Sequence, residues 1–88
     1  MNVLRLWSPP VPEGEPSVHE ITPRQADVLT GLHLGLSNFQ IGRRFYMAED
    51  TVKSHCKRLY RRIGATDRTH AVALTASGHV SVYVKDTE

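Results

Sequence analysis

Glu49-Asp50-Thr51-Val52-Lys53-Ser54-His55-Cys56-Lys57-Arg58-Leu59-Tyr60-Arg61-Arg62-Ile63 is the stretch from which the rest of the chain can be read. Placed at about 100° per residue, the period of an α-helix, Val52, Cys56, Leu59 and Ile63 fall in one narrow sector, with Tyr60 at its edge. The opposite sector holds Asp50, Ser54, Lys57, Arg58 and Arg61, flanked by Lys53 on one side and by Thr51 and Arg62 on the other. Two acids in the first turn and Arg61 and Arg62 in the last complement the helix macrodipole, and Gly64 stops the helix. From Lys53 to Arg62 there are five basic residues and no acid, so the bases lack the partners that normally sit one turn away. The sequence predicts a helix over 49–63 with one buried stripe and one cationic face. A cationic face of this kind is either solvated or turned to a polyanion.

Working outward, Ser37 can cap a short second helix in which Ile41 and Phe45 lie one turn apart, and Tyr46-Met47-Ala48 then makes a tight connection. A short helix, a three-residue turn and a longer helix form a helix-turn-helix. Further upstream, Thr22-Pro23-Arg24-Gln25 is a capping box with proline at the first helical position. Val28, Leu29, Leu32 and Leu36 supply that helix's buried stripe, and Gly35 ends it. Downstream, Asp67 caps a fourth helix from about 68 to 76, with Ala71, Val72 and Leu74 as its apolar portion. Val80, Val82 and Val84 then alternate with Ser81, Tyr83 and Lys85, as in a strand. A lone strand is unstable, so it needs a mate, either residues 3–7 or another subunit. Residues 8–16 contain four prolines and cannot be regular structure. The expected fold is all-α: a four-helix domain over 21–78, an extended Pro-rich N-terminal arm over 1–20 and a short strand-like C-terminal tail over 79–88.

The chain has 88 residues and a net charge of +2, one small domain or less. The small total conceals a basic middle. Residues 21–78 hold nine basic residues against four acids, a net of +5, while residues 1–20 carry −2 and residues 79–88 carry −1. Such asymmetry points to a polyanionic partner. The apolar runs are too short to span a membrane, and residues 1–7 are broken by Ser8-Pro9-Pro10 before a signal peptide could form. The one cysteine, Cys56, excludes an internal disulfide framework and a Cys-rich zinc site. The histidines His19, His33, His55, His70 and His79 lack metal-ligand spacing, and neither a phosphate-binding glycine loop nor a Ser/His/Asp set is recognisable. An enzyme, a cofactor and a metal centre are therefore not expected, and a cytoplasmic location is.

Five blocks carry a resemblance: Ile21-Thr22-Pro23-Arg24-Gln25-Ala26-Asp27-Val28-Leu29, Gly35-Leu36-Ser37-Asn38, Ile41-Gly42-Arg43-Arg44-Phe45, residues 49–55, and Ile63-Gly64-Ala65-Thr66-Asp67-Arg68-Thr69-His70-Ala71-Val72. In order and spacing they resemble the LuxR-type (GerE-like) DNA-binding domain over roughly residues 21–77. That resemblance implies a four-helix domain whose third helix enters the major groove, whose fourth commonly dimerises, and which regulates transcription. By position it implies that Lys53, Ser54 and Lys57 face base edges and that Asn38 and Thr51 approach phosphates. The helical wheel adds Arg58 and Arg61. Dimerisation is expected through Arg68, Ala71, Val72 and Thr75, with the tail as a possible addition.

The chain departs from the family pattern at several points. Ala48 stands where the family often has serine, and losing a side-chain cap costs about 1 kcal/mol. Asp50 faces outward and repels phosphate unless it meets a cytosine amino group. Cys56 replaces a usual valine as a small buried hydrophobe. Leu34 and Phe39 replace charged residues, and are expected either to contact a protein partner or to be covered by Leu4, Leu6 or Trp7. The expected function is a stand-alone, sequence-specific transcriptional regulator that binds double-stranded DNA as a homodimer. The alternative is a protein-interaction module that pairs with a full-length regulator or RNA polymerase.

Overall fold

Side-chain caps set where the helices begin. The computed structural model describes residues 14–85, and these hold β1 (Ser17–Ile21), α1 (Pro23–His33), α2 (Asn38–Phe45), α3 (Glu49–Ile63), α4 (Arg68–Ala76) and β2 (Val80–Val84). At α1 the Gln25 N–H donates to Thr22 Oγ1 (3.1 Å) and the Thr22 N–H to Gln25 Oε1 (2.9 Å). Ser37 and Gln40 repeat this reciprocal box at α2, with 3.1 and 2.9 Å. The His70 N–H donates to Asp67 Oδ1 (2.9 Å) at α4. Each box satisfies donors that a helix start leaves unpaired.

α3 differs. Its N-cap residue Ala48 has the extended backbone of a cap (φ −64°, ψ 149°) but no side-chain oxygen to offer. Ala48→Ser is expected to add one capping bond without moving the backbone. It should stabilise the domain by about 1 kcal/mol, a rise in melting temperature of roughly 4–8 °C at this size. Thermal unfolding checks it, and an unchanged midpoint would show that Glu49 and Asp50 already satisfy that helix end.

The core forms where the helices cross. Val28, Ile41, Val52 and Leu59 are wholly buried, one or two from each of α1, α2 and α3. Ile21, Leu29, Leu32, Cys56, Ile63, Ala71, Leu74 and Val80 close around them. The buried residues of α3 are Val52, Cys56, Leu59 and Ile63, the stripe that the wheel predicts. Two glycines permit the close approach. A Cβ at Gly31 would lie 2.5 Å from Ile41 Cγ1, and one at Gly42 would overlap the Met47 carbonyl oxygen. The turn between α2 and α3 bends back through Tyr46, whose backbone is left-handed (φ 60°). Both Tyr46 and Met47 donate their N–H groups to the Gly42 carbonyl.

Side chains donating to backbone carbonyls lock the elements together. Arg24 Nη1 donates to the Phe45 carbonyl (3.1 Å) at the end of α2. Arg62 Nε donates to the Glu20 carbonyl (2.9 Å) in β1. Arg68 donates to the Leu36 carbonyl, between α1 and α2.

The strand-like tail is a strand, but its mate is not the one foreseen. β2 pairs in parallel with β1, in register from Ser17↔Val80 to Ile21↔Val84. Residues 17–20 therefore leave the arm assigned to 1–20 and join a two-stranded sheet, and the fold is a four-helix domain with that small parallel sheet beside it. Parallel strands need a long crossover, and here the crossover is the helical domain itself. Val80 and Ile21 are buried and tie the sheet to the core. Residues 3–7 lie outside the described residues.

Candidate nucleic-acid interface

α3 is positioned by its buried stripe, which leaves the opposite side free. Thr51, Lys53, Ser54, Lys57, Arg58 and Arg61 are all exposed on it, as is Asp50. Among the described residues the sole ion pair is Arg24 with Asp27 (3.2 Å) on α1. The bases of α3 thus meet no carboxylate, and their charge is uncompensated within the described structure. Lys53, Ser54 and Lys57 share this face within five residues, so the three expected base readers occupy about one turn. Thr51 begins the same face one turn earlier.

Asn38 sits apart from them at the start of α2 and is half-buried. Its Oδ1 lies 3.9 Å from the Cys56 Sγ of α3, so the two helices hold it between them. Cys56 is buried and free, as the hydrophobe reading requires. One turn beyond it, burial and the Cys56 thiol push the Tyr60 hydroxyl up to about 12. That phenol is neutral at any pH at which duplex DNA is handled and adds no charge to the face.

Two further bases were not among the expected DNA contacts. Arg43 and Arg44 are exposed on α2, each guanidinium 5.9 Å from the centre of an aromatic ring, Phe39 and Phe45 respectively. A wheel of α2 with Ile41 and Phe45 turned inward would have placed both outside.

The expected dimer residues do not share one surface. Ala71 is wholly buried, because Ala71 and Leu74 form the core stripe of α4, so the expectation that it faces a second copy is corrected. The Thr75 hydroxyl is engaged within the domain, donating to the Ala71 carbonyl and lying 2.7 Å from His33 Nε2. Arg68 and Val72 line a shallow apolar groove of about 440 Å³ with Leu32, Gly35, Thr69 and Ala73. Leu34 and Phe39 are 54% and 57% exposed, and Leu4, Leu6 and Trp7, offered as their cover, lie outside the described residues. Among the described residues no cluster of three or more His, Cys, Asp or Glu side chains is placed to hold a metal ion. No described helix is long and apolar enough to cross a membrane.

Comparison with known proteins accords with this geometry. The family described as bacterial regulatory proteins, luxR family, matches residues 19–75. The CsgBAC operon transcriptional regulatory protein of Escherichia coli is 38% identical over 53 residues, 60% of this chain and 24% of that protein. The transcriptional regulatory protein LnrK of Bacillus subtilis is 34% identical over 64 residues, 73% of this chain and 29% of its own length. The transcriptional regulatory protein DegU of Brevibacillus brevis is 38% identical over 55 residues, 62% of this chain and 22% of that protein. The chain therefore spans about a quarter of the length of the relatives it matches.

Proposed function

The chain belongs to the LuxR family of bacterial regulatory proteins, and from that premise we propose that it binds double-stranded DNA sequence-specifically to regulate transcription, with α3 in the major groove. The observation that carries this reading is the α3 face: Lys53, Lys57, Arg58 and Arg61 exposed on one side of a helix presented by a tight turn, with no carboxylate among the described residues paired to any of them. Lys53, Ser54 and Lys57 read base edges, while Asn38, Thr51 and Arg61 hold the backbone. Backbone contacts set position and base contacts set sequence.

The functional unit we infer is a homodimer joined through the α4 groove, which reads two half-sites about one helical turn apart. The apolar groove lined by Val72 and Ala73 supports this. Val72→Asp places a charge there. It is expected to shift the sedimentation coefficient to that of a monomer and to abolish preference for paired over single half-sites. A Val72→Asp protein that still sediments as a dimer places the joint elsewhere.

In vitro selection of duplexes from a random pool, at stated salt, tests the DNA reading. A defined motif is expected, with log affinity falling against log salt by about 0.9 for each phosphate neutralised. A pool that returns no motif would remove sequence-specific binding from this chain. The exposed Leu34 and Phe39 favour a second reading, contact with RNA polymerase or a longer regulator. Retention of purified polymerase by the parent, lost in Phe39→Lys, is its test.

A further inference from the structure

Beside the base-reading segment lies a hollow of about 300 Å³ lined by Gln25, Arg58, Arg61 and Arg62. Three of its four lining side chains are guanidinium groups, which offer donors and no acceptor. Gln25 is 8% exposed, and its Oε1 is committed to the Thr22 N–H at 2.9 Å. That bond fixes which end of the amide is which, so Nε2 with its two N–H groups is the end left over. It has no hydrogen-bond partner among the described residues, and no polar side-chain atom there is both buried and unpaired. Gln25 lines the hollow, and Nε2 is the polar end of its side chain left to serve it. Arg62 gives its Nε to the Glu20 carbonyl, which holds the guanidinium in place while its terminal N–H groups take no partner among the described residues. None of the three arginines is in an ion pair among the described residues.

Three guanidinium groups drawn together without an acid repel one another, and that repulsion is relieved when an oxyanion sits among them. Guanidinium forks and an amide match a tetrahedral oxyanion with several acceptor oxygens. Position identifies the oxyanion. Arg61 and Arg62 lie seven or eight residues beyond Ser54, roughly 10–12 Å along the helix, while the major groove is about 8.5 Å deep. With the first turns of α3 on the bases, its last turn stands at the lip of the groove, where the phosphates are.

We propose that Gln25, Arg58, Arg61 and Arg62 form a seat for a phosphate oxyanion, filled in the complex by one phosphodiester of the DNA backbone. The seat couples α1 to the duplex and separates α3 into a base-reading start and a phosphate-gripping end. This inference rests on the DNA reading given above.

Gln25→Glu is the discriminating variant. Glutamate serves a capping box as glutamine does, so α1 keeps its start, while both N–H donors become a negative acceptor. On the full chain, Gln25→Glu is expected to bind every duplex about tenfold more weakly, with base preference unchanged and a log–log salt slope shallower by about 0.9. A neutral methylphosphonate walked along each strand of the selected duplex should find one position that weakens the parent and leaves Gln25→Glu indifferent. Parent-like affinity in Gln25→Glu, or equal sensitivity of both proteins at every methylphosphonate, overturns the seat.

A titration with inorganic phosphate separates a small free ligand from the duplex and reads the Gln25 side-chain amide resonances directly. Free phosphate that saturates those resonances, while no methylphosphonate position distinguishes the two proteins, overturns the backbone assignment. Should the parent bind no duplex at all, the DNA reading fails, and the titration alone then judges the seat. Saturable shifts with phosphate, absent with chloride at equal ionic strength, would keep it. Their absence would overturn it. Thermal unfolding of Gln25→Glu confirms the fold. If that variant is unstable, Arg61→Gln takes its place in the same two assays.

Discussion

Lys57→Ala is expected to erase most of the difference in affinity between a selected duplex and a scrambled one. Lys57 lies at the centre of the exposed α3 face, one turn beyond Lys53, and has no carboxylate partner among the described residues. Its ammonium is a compact charge on a flexible stem, suited to the acceptor edge of a guanine in the major groove. Removing it forfeits a contact worth about 1–3 kcal/mol of discrimination against the wrong base, roughly five- to a hundred-and-fiftyfold. The fold has no stake in the change, since alanine is the best helix former and exposed substitutions of this kind shift stability by about 0.5 kcal/mol or less. Dissociation constants on both duplexes at one salt concentration, with unfolding midpoints beside them, make the measurement. The selected duplex should lose far more affinity than the scrambled one. Equal losses on both would move Lys57 to the phosphates, and no loss on either would take α3 out of the groove.

Gly42→Ala is expected to be the most damaging single methyl that can be added to this chain. The new Cβ would overlap the Met47 carbonyl oxygen, a backbone atom that cannot rotate aside. Retreat is barred from the other direction too, because the Met47 N–H is bonded to the Gly42 carbonyl at 2.8 Å. The overlap is relieved only by opening the turn between α2 and α3, and overpacking of this kind costs about 1–3 kcal/mol. That is a large share of the roughly 5–10 kcal/mol available to a domain this small. Opening the turn also tilts α3 against the rest of the domain, so both affinity and discrimination should fall. Gly35→Ala is the control. Its backbone is left-handed (φ 75°) with nothing within 4 Å of the added methyl, so it carries only the conformational cost, about 1–2 kcal/mol. Urea midpoints should order parent above Gly35→Ala above Gly42→Ala, with DNA binding impaired in the last alone. Equal midpoints for the two variants would mean that the turn yields more easily than its hydrogen bonds suggest.

These two residues illustrate how unevenly the chain could be read in advance. Lys57 was legible because a helix makes its own arithmetic: Val52, Cys56, Leu59 and Ile63 repeat at the helical period, and whatever lies opposite them must face outward. The caps were legible for a similar reason. Thr22, Ser37 and Asp67 each act on a backbone N–H only three residues away, so a short window contains the whole interaction. The importance of Gly42 was invisible, since an absent Cβ announces nothing about what it would have struck. The α1 side of the candidate site was hidden in the same way. Gln25 was recognised for its capping bond, but its second role depends on which residues of α3 come to rest beside it, 33 or more positions later.

What the sequence determined by itself is everything set within a few turns of backbone: four helices with their starts and stops, the buried stripe of α3, its cationic face, and the family that those blocks spell out. What only the tertiary structure decided is which distant pieces meet. Ser17–Ile21 became the mate of Val80–Val84 because the helical domain returns the chain to its own beginning, and neither strand's alternation encodes the other. Ala71 turned inward because the α4 stripe had to close the same core. Three arginines and a glutamine gathered around one hollow because α1 packs across α3. Local order follows from hydrogen bonds and torsions between near neighbours in the chain. Long-range pairing follows from burying apolar surface, which is non-directional and leaves no short-range mark on the residues it brings together.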